Sequence, residues 1–292
     1  MERTLPALPP FSFSAVVQSH GWAELAPFST GAAGSLTYVY RLDSGRVAEL
    51  RVREAPGGIE TAVDGTVDGR EQDQVARDAA WMFGLHQDLS PFYALARAEP
   101  KLAQAEARAQ GRVLRCPTLF EDAVKTMLTV NTSWAGTIRM VAALVSQFGD
   151  PLPAEPTRHA FPTPQRLAAA GEAALRAETR LGFRAPSVLQ LARAAASGDL
   201  DLESLKTTHL PTAELRGRLL QVRGVGPYAA ANLLMILGRY DCIPVDSWAL
   251  KMVSNEWYEG QPVGPAEVEA AFERWGEWKG LAYWFWDWRT PA

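Results

Sequence analysis

A lone aspartate that follows a glycine turn is the strongest chemical signal in this chain. Residues 219–251 read LLQVRGVGPYAAANLLMILGRYDCIPVDSWALK, in which two apolar helical stretches flank Gly224 and Gly226. Asp246 follows a second break and precedes another helical stretch, where aspartate is a preferred N-cap residue. A carboxylate at this place can also stabilise a developing positive charge and orient or deprotonate water. Capping and catalysis are compatible, so both interpretations of Asp246 stay open.

The glycine turn itself predicts an anion site built from backbone amides. Gly224 and Gly226 permit positive φ and a close approach of a partner, and Pro227 suits the first position of the second helix. The early amides of that helix have no partner within it, and the helix dipole adds to their attraction for an anion. A DNA phosphate fits such a site, whereas the bland alternative is a turn that only packs two helices together.

Composition and charge set wider limits on the function. The 292 residues are 47% apolar and 21% charged, which is typical of a globular protein with room for two or three packed domains. The net charge of -4 argues weakly against a polyanionic partner, but residues 101–253 carry 18 basic against 13 acidic side chains. Apolar runs too short to span a bilayer predict no membrane association. Two cysteines and no secretory signal predict a cytoplasmic protein.

The elements that must position these groups change in character along the chain. Residues 11–65 are rich in β-branched and aromatic residues and predict an antiparallel sheet that includes FSFSAVVQSHGW, LTYVYRL and VAELRVREA. From Arg70 onward the apolar spacing predicts helices, among them SPFYALARAEPKLAQAEARAQG and a long stretch that is interrupted by NTSW and ends at Gly149. DPLPAEPTRHAFPTP predicts a proline-rich connector, and the next helix begins with Thr163 as its cap and Pro164 at its first position.

Several of these motifs, in this order and at this spacing, resemble one protein family. VRGVGPYAAANLLMI followed by IPVDSWALK is similar to the helix-hairpin-helix plus Gly/Pro-Asp signature of the HhH-GPD DNA glycosylase superfamily. The resemblance extends upstream through LFEDAVKTMLTVNTSWAG, LGFRA and LARA, and it covers residues 70–290. The sheet-rich N-terminus is consistent with the bacterial 3-methyladenine and 8-oxoguanine glycosylase branches of the family.

The resemblance implies an α+β fold in which a mostly α-helical HhH-GPD core follows an N-terminal antiparallel β-sheet domain. We expect a first domain of sheet plus helix over residues 1–95 and a helical catalytic region over residues 96–292. Within that region the hairpin occupies residues 212–237, and a loop over residues 241–248 carries Asp246.

The resemblance also implies a chemistry for Asp246. In the family the aspartate at this place is the catalytic acid residue. Cleavage of an N-glycosidic bond develops positive charge on the sugar, as in glycoside hydrolysis, and an ionised carboxylate stabilises it. Bifunctional members carry a lysine two residues after the second glycine, which forms a Schiff base. Tyr228 stands there in this chain, and because tyrosine forms no imine we expect a monofunctional enzyme that uses water, without AP-lyase activity.

Four aromatic and amide side chains are candidates for a pocket that receives a base flipped out of the duplex. Tyr228 and Asn232 lie one helical turn apart and can line such a pocket, although Tyr228 is equally well explained as a core aromatic residue. Tyr283 and Trp286 lie three residues apart and can face one pocket, where aromatic rings attract electron-poor alkylated bases. A stretch so rich in tryptophan is also typical of a core.

The VNTSW motif supplies two further candidates. Asn131 falls on the position of the family's wedge, the side chain that fills the gap left by the extruded base. The alternative is an ordinary helix kink in which asparagine and threonine bond to the backbone. Trp134 belongs either to the core or to the wall of the base pocket.

The hairpin backbone is the expected contact with DNA and with an ion. The resemblance assigns phosphate contacts to Val222, Gly224, Gly226 and Tyr228. It also implies a monovalent cation, Na⁺ or K⁺, bound through the backbone of Leu220, Val222 and Val225. We expect no required cofactor, because the four histidines show no metal spacing and two cysteines cannot hold an iron–sulfur cluster.

Together these inferences predict an enzyme of base excision repair. We expect a monomeric, monofunctional DNA glycosylase that acts on double-stranded DNA and hydrolyses the N-glycosidic bond of damaged bases, above all alkylated purines. An 8-oxoguanine glycosylase is an alternative that GFRAP and Asn131 favour. A DNA-binding protein that keeps the hairpin but has no catalytic activity is another alternative, and Asp246 separates it from the two enzymes.

Overall fold

An antiparallel sheet occupies the N-terminal part of the chain. The computed structural model describes residues 2–31 and 34–288. The strands pair in the order β1-β5-β4-β3-β2, and their bounds are β1 Glu2–Pro6, β2 Phe28–Thr30, β3 Leu36–Arg41, β4 Val47–Ala55 and β5 Gly58–Val63. β3 is buried at its first five residues, so both faces of the sheet are covered there. The sheet confirms the predicted strands LTYVYRL and VAELRVREA.

Helices form most of the remaining chain. Their bounds are α1 Phe13–Val17, α2 Gly69–Met82, α3 Ser90–Ala96, α4 Leu119–Thr129, α5 Trp134–Phe148, α6 Pro164–Thr179, α7 Ala185–Ser197, α8 Thr212–Gln221, α9 Pro227–Ile236, α10 Ser247–Trp257, α11 Pro265–Ala271 and α12 Lys279–Phe285. Thr163 caps α6 through the amide of Arg166, with Pro164 in the first turn, as predicted. The α+β fold class is therefore confirmed. Within the described ranges, none of these helices is both long and apolar enough to cross a bilayer.

The chain divides into two compact units that are discontinuous in sequence. The first, called here the sheet unit, comprises residues 2–87 and 112–204, and the second, the hairpin unit, comprises residues 88–111 and 205–288. The sheet unit contains all five strands of the large sheet and helices α4 to α7. The hairpin unit contains α3 and α8 to α12. The predicted domains, residues 1–95 and 96–292, are each continuous in sequence, unlike these units. The predicted domain boundary stays a prediction.

Charged side chains are buried in the sheet unit along α4. Lys125 Nζ lies 2.7 Å from Glu121 Oε1, and both side chains are almost fully buried. The Tyr38 hydroxyl donates to Glu121 at 2.5 Å, and Trp22 Nε1 donates to Asp122 at 2.7 Å. These five residues are called here the charged cluster. An unpaired buried charge is costly, so the ion pair within α4 needs its partner. The hydrogen bonds from Tyr38 and Trp22 tie α4 to the sheet and to the segment before β2.

An aromatic cluster forms the corresponding core of the hairpin unit. Trp286 packs against Trp257 with ring centroids 5.3 Å apart and against Phe272 at 5.4 Å. Tyr283 meets Phe272 at 5.7 Å, and Trp288 meets both Tyr283 and Trp257 at 5.8 and 6.1 Å. Most of these pairs are edge-to-face, the arrangement that aromatic quadrupoles favour. The rings join α10, α11 and α12.

Three predicted elements differ from the observed ones. FSFSAVVQSHGW is not a strand but contains α1, because Ser12 Oγ caps it through the Ala15 amide at 3.2 Å and the buried Phe13 and Val16 follow helical spacing. Residues 100–109 form successive turns instead of a helix, consistent with Pro100, which disfavours helical backbone at the residue before it. The connector after Gly149 forms a short hairpin of β6 Pro151–Leu152 and β7 Glu155–His159.

Candidate active site

Asp246 lies at the N-terminus of α10 with its side chain exposed. Its backbone is extended, with φ -130° and ψ -175°, and its carboxylate accepts a hydrogen bond from the Ala249 amide at 2.8 Å. The predicted N-cap is confirmed. A carboxylate has about four acceptor sites, so the cap leaves capacity to bind water or to face a positive charge.

The loop that leads to Asp246 is seated on the start of α12. The Gly280 amide donates to the Tyr240 carbonyl at 2.6 Å. A Cβ at residue 280 would lie 2.7 Å from the carbonyl oxygens of both Tyr240 and Cys242, closer than any real Cβ contact. On the other side, the Ile243 amide donates to Glu269 at 3.4 Å. The position of the aspartate loop therefore depends on a glycine in α12.

Tyr283 lies close enough to both Asp246 and Tyr228 to interact with each of them electrostatically. Tyr283 is 4% exposed. Burial raises the pKa of its phenol, and the negative charge of Asp246 and the Tyr228 phenol raise it further. Tyr283 is therefore a neutral hydroxyl near the carboxylate at physiological pH. The structure thus brings together three of the predicted site residues, while their roles toward a base stay predictions.

Trp248 is an exposed aromatic residue that the sequence analysis missed. It lies two residues after Asp246 in the first turn of α10 and is 46% exposed. Its ring meets Tyr283 edge-on at 6.2 Å and Trp288 at 5.4 Å. The signal was present in the sequence as DSW, because the first turn after a cap has little protein in front of it. An exposed aromatic ring thus lies at the same helix N-terminus as Asp246 and contacts Tyr283, which interacts with the carboxylate.

Trp286 and Asn232 both donate hydrogen bonds to other groups of the protein. Trp286 is 6% exposed within the aromatic cluster, and its Nε1 donates to Glu256 at 3.3 Å. The Asn232 amide nitrogen donates one hydrogen bond to the Tyr228 backbone carbonyl at 3.0 Å. The side-chain oxygen of Asn232 can still accept a hydrogen bond, and its second N–H can still donate one. The base-pocket roles of both residues stay predictions.

The glycine turn has one residue of positive φ. Gly224 uses the permitted positive φ, at +89°, whereas Gly226 has φ -87° and serves as the N-cap of α9. Pro227 lies in the first turn of α9, as expected. The Val222 amide donates to the Leu219 carbonyl at 3.1 Å and is thus engaged inside the turn. The phosphate contacts of this backbone stay a prediction.

The same turn is compatible with the predicted monovalent cation. The Val222 carbonyl accepts a hydrogen bond from the Val225 amide at 3.0 Å. A carbonyl oxygen has a second lone pair, so this bond does not prevent it from binding an ion. Among the described residues, no cluster of histidine, cysteine and acidic side chains is suited to a metal.

The sequence matches the HhH-GPD superfamily of base excision DNA repair proteins over residues 124–277, which is more than half of the chain. That match includes the turn and Asp246. The chain belongs to the HhH-GPD superfamily. It is 27% identical to the DNA-3-methyladenine glycosylase of Bacillus subtilis over 227 residues, which cover 75% of this chain and 73% of that protein. This HhH-GPD protein is a DNA glycosylase of base excision repair, and the predicted family is confirmed.

Solved structures share the HhH-GPD fold across almost the whole chain. The 3-methyladenine DNA glycosylase of Archaeoglobus fulgidus superposes with a TM-score of 0.77 at 22% identity and covers 97% of each chain. The 8-oxoguanine glycosylase/lyase of Clostridium acetobutylicum, in complex with double-stranded DNA, superposes with a TM-score of 0.74 at 19% identity and covers 99% of this chain and 96% of the other. At these identities the likeness establishes the fold.

Asn131 and Trp134 belong to the sheet unit of this HhH-GPD protein. Asn131 has φ +51°, and residues 131–135 are all exposed. Ser133 caps α5 through the Gly136 amide at 3.2 Å. Trp134 donates from Nε1 to Glu24 at 3.1 Å and lies against Gly21, where a Cβ would come within 2.0 Å of the indole. The wedge and base-pocket roles of these residues stay predictions.

Proposed function

We propose that this HhH-GPD protein is a monofunctional glycosylase that releases alkylated purines from double-stranded DNA by hydrolysis. The observation that carries the proposal is the exposed carboxylate of Asp246 beside aromatic side chains, with tyrosine at position 228. The name of the Bacillus relative supports the same class of substrate.

Asp246 supplies the charge that the reaction needs. As the N-glycosidic bond breaks, its electron pair leaves with the base, and the sugar ring gains positive charge. The ionised carboxylate stabilises this cation, and a water molecule then adds to the sugar and gives up a proton, which the Asp246 carboxylate accepts and passes to solvent. The exposed position of Asp246 lets both sugar and water reach it. The cap holds the carboxylate in place through the Ala249 amide.

The aromatic rings account for the preference for alkylated purines. Alkylation at a ring nitrogen gives the purine a positive charge, and such a base leaves as a neutral molecule without a general acid. A cationic base is attracted to the faces of tyrosine and tryptophan. Trp248 offers an exposed ring two residues after Asp246, and Tyr283 lies near the carboxylate and near Tyr228. The neutral phenol of Tyr283 adds a hydrogen-bond donor.

Two segments act on the DNA: the glycine turn before α9 holds it, and the link between α4 and α5 opens it. The early amides of α9 bind a phosphate, helped by the helix dipole, with a monovalent cation at the carbonyls before it. Asn131 stands at the exposed tip of the link between α4 and α5. It fills the stack when the damaged base is extruded, as an enzyme of this kind requires. The protein works as a monomer and needs no further cofactor.

Substrate and mechanism are tested together with a panel of duplexes. Free base is measured from duplexes that contain 3-methyladenine, hypoxanthine, ethenoadenine or 8-oxoguanine. We expect release of alkylated purines to be fastest, and faster release of 8-oxoguanine would overturn the proposed substrate class. Trapping with borohydride is expected to give no covalent adduct, because Tyr228 forms no imine. An adduct would show that the enzyme is bifunctional.

Asp246→Asn tests the catalytic carboxylate. The amide can still cap α10 but has no charge, so we expect base release to fall by about 10²–10⁴-fold with DNA affinity and thermal stability little changed. Ser247→Ala, at the neighbouring exposed residue, is the matched control and should release base at the wild-type rate. Unchanged release by Asp246→Asn would contradict the assignment.

A further inference from the structure

The link between α4 and α5 contains one residue of left-handed backbone conformation, Asn131, within an exposed stretch. Asn131 has φ +51°, a left-handed conformation that is uncommon for residues other than glycine, although asparagine adopts it more readily than most. Val130 before it is extended, with φ -71° and ψ 130°. Such backbone persists only when neighbouring structure determines it. The exposed side of the turn, residues 131–135, cannot provide that support.

Arg184 provides it from a distant part of the sheet unit. The residue ends the turn Gly182–Arg184 and is 9% exposed. Its Nε donates to the Val130 carbonyl at 3.1 Å, and its Nη2 donates to the Asn131 carbonyl at 3.1 Å and also to that of Val130. One planar guanidinium therefore binds the two successive carbonyls that flank the Cα atom of Asn131.

The partners of this guanidinium are unusual for a buried arginine. A buried arginine is normally paired with an acid. In the part of the chain that the structure describes, Arg184 contacts the two carbonyls, the Met140 sulfur at 3.8 Å and the Phe183 ring at 4.3 Å. Burial lowers its pKa, with no acidic group acting in the other direction. The hydrogen bonds that the guanidinium donates to oxygen therefore all go to the backbone of this turn.

We propose that Arg184 is a positioning residue that holds the Asn131 turn in the conformation needed to fill the stack. The proposal rests on the proposed wedge role of Asn131. A turn that is already ordered pays less conformational entropy when it enters DNA. Arg184 acts through the backbone of Val130 and Asn131 and needs no contact with DNA. Its loss should therefore matter only where a base pair has to be replaced.

The experiment compares a paired lesion with an unpaired one. Single-turnover release of 7-methylguanine is measured from duplexes in which it stands opposite cytosine or opposite an abasic-site analogue. We expect Arg184→Met to slow release from the paired duplex by about tenfold and from the unpaired one by less than about twofold. Arg184→Lys, which keeps one donor and the charge, should recover part of the loss. Equal slowing on both duplexes would show a merely structural role and overturn the proposal.

Asn131→Gly supplies the matched control. Glycine adopts positive φ at little cost, and this variant also removes the wedge side chain. If Arg184 acts through Asn131, the double variant Asn131→Gly/Arg184→Met releases base from the paired duplex no more slowly than Asn131→Gly alone. A further tenfold loss in the double variant would show that Arg184 acts elsewhere.

Extrusion is measured without base release, so that the substrate assignment is tested separately. The fluorescence of 2-aminopurine in a paired duplex rises when the base leaves the stack. We expect wild type to raise it and Arg184→Met to raise it several-fold less, with wild-type behaviour when 2-aminopurine is opposite an abasic-site analogue. If wild type extrudes 2-aminopurine more than Arg184→Met does but releases no 7-methylguanine, the proposed substrate is overturned while the role of Arg184 is supported. Equal fluorescence for wild type and Arg184→Met in the paired duplex would overturn the positioning role.

Discussion

The two units of this protein fill their interiors with different chemistry. The sheet unit buries ionisable side chains along α4, where Lys125 and Glu121 pair with each other and Asp122 accepts a hydrogen bond from Trp22. The hairpin unit packs tryptophan, tyrosine and phenylalanine rings against one another. A charged interior depends on each partner being present, whereas an aromatic interior depends on shape and area. The two units should therefore differ in their responses to charge, to pH and to a change of side-chain size.

The largest difference should come from removing the buried lysine. Lys125→Met leaves Glu121 almost fully buried without its cation, although the Tyr38 hydroxyl still donates to it. We expect a loss of about 3–5 kcal/mol in the free energy of unfolding, measured by urea denaturation. The double variant Glu121→Gln/Lys125→Met removes both charges and should recover most of that loss. A small effect of the single variant would mean that water reaches the pair.

The next effect is a pair of opposite pH dependences in the sheet unit. Burial raises the pKa of Asp122 to about 7 from 3.8 and lowers that of His20 to about 4 from 6.5. Between pH 3.8 and about 7 the folded state keeps a proton on Asp122 that the unfolded state loses. The contribution of Asp122 to stability therefore falls as pH rises through this range. His20 resists protonation in the folded state, so its contribution falls as pH drops.

Substitutions at Asp122 and His20 should separate these opposing contributions. Relative to wild type, we expect the stability of Asp122→Asn to rise more steeply between pH 4 and 6.5, and that of His20→Gln to rise less steeply or fall. Each substitution should alter the change in the free energy of unfolding between pH 4 and 6.5 by at most ~3 kcal/mol, since one pKa unit corresponds to ~1.4 kcal/mol. Denaturation midpoints at several pH values measure both slopes. Parallel curves for the three proteins would show that neither group has a shifted pKa.

The smallest effect is expected in the aromatic cluster. Trp286→Phe keeps an aromatic ring among Trp257 and Phe272 but loses area and the hydrogen bond to Glu256. We expect a loss of about 1–2 kcal/mol, with a pH dependence parallel to that of wild type. A loss as large as that of Lys125→Met would remove the contrast between the two interiors.

Local rules made the active-site region predictable from sequence. The cap at Asp246, the proline at the start of α9 and the positive φ of Gly224 each depend on residues a few positions apart. The strands β3 and β4 followed from their β-branched and aromatic content. The same content was misleading in α1, because the single cap from Ser12 and the spacing of the buried Phe13 decide that segment.

Long-range contacts explain what the sequence could not reveal. Arg184 supports carbonyls more than 50 residues earlier in the chain, at Val130 and Asn131, and no local pattern marks such a contact. Glu121 and Lys125 have the spacing of an ordinary surface ion pair on a helix. Only the sheet and the segments packed on α4 bury them. The seat of the aspartate loop on Gly280 is equally non-local.

The glycine at position 280 has a consequence for engineering the specificity of this enzyme. Libraries that vary α12 to accept other lesions, for example at Tyr283, can sample many side chains there. They must leave position 280 untouched, because even a methyl group would displace the carbonyls of Tyr240 and Cys242. Selectivity can thus be evolved along the later part of this helix, while its first turn fixes where the carboxylate stands.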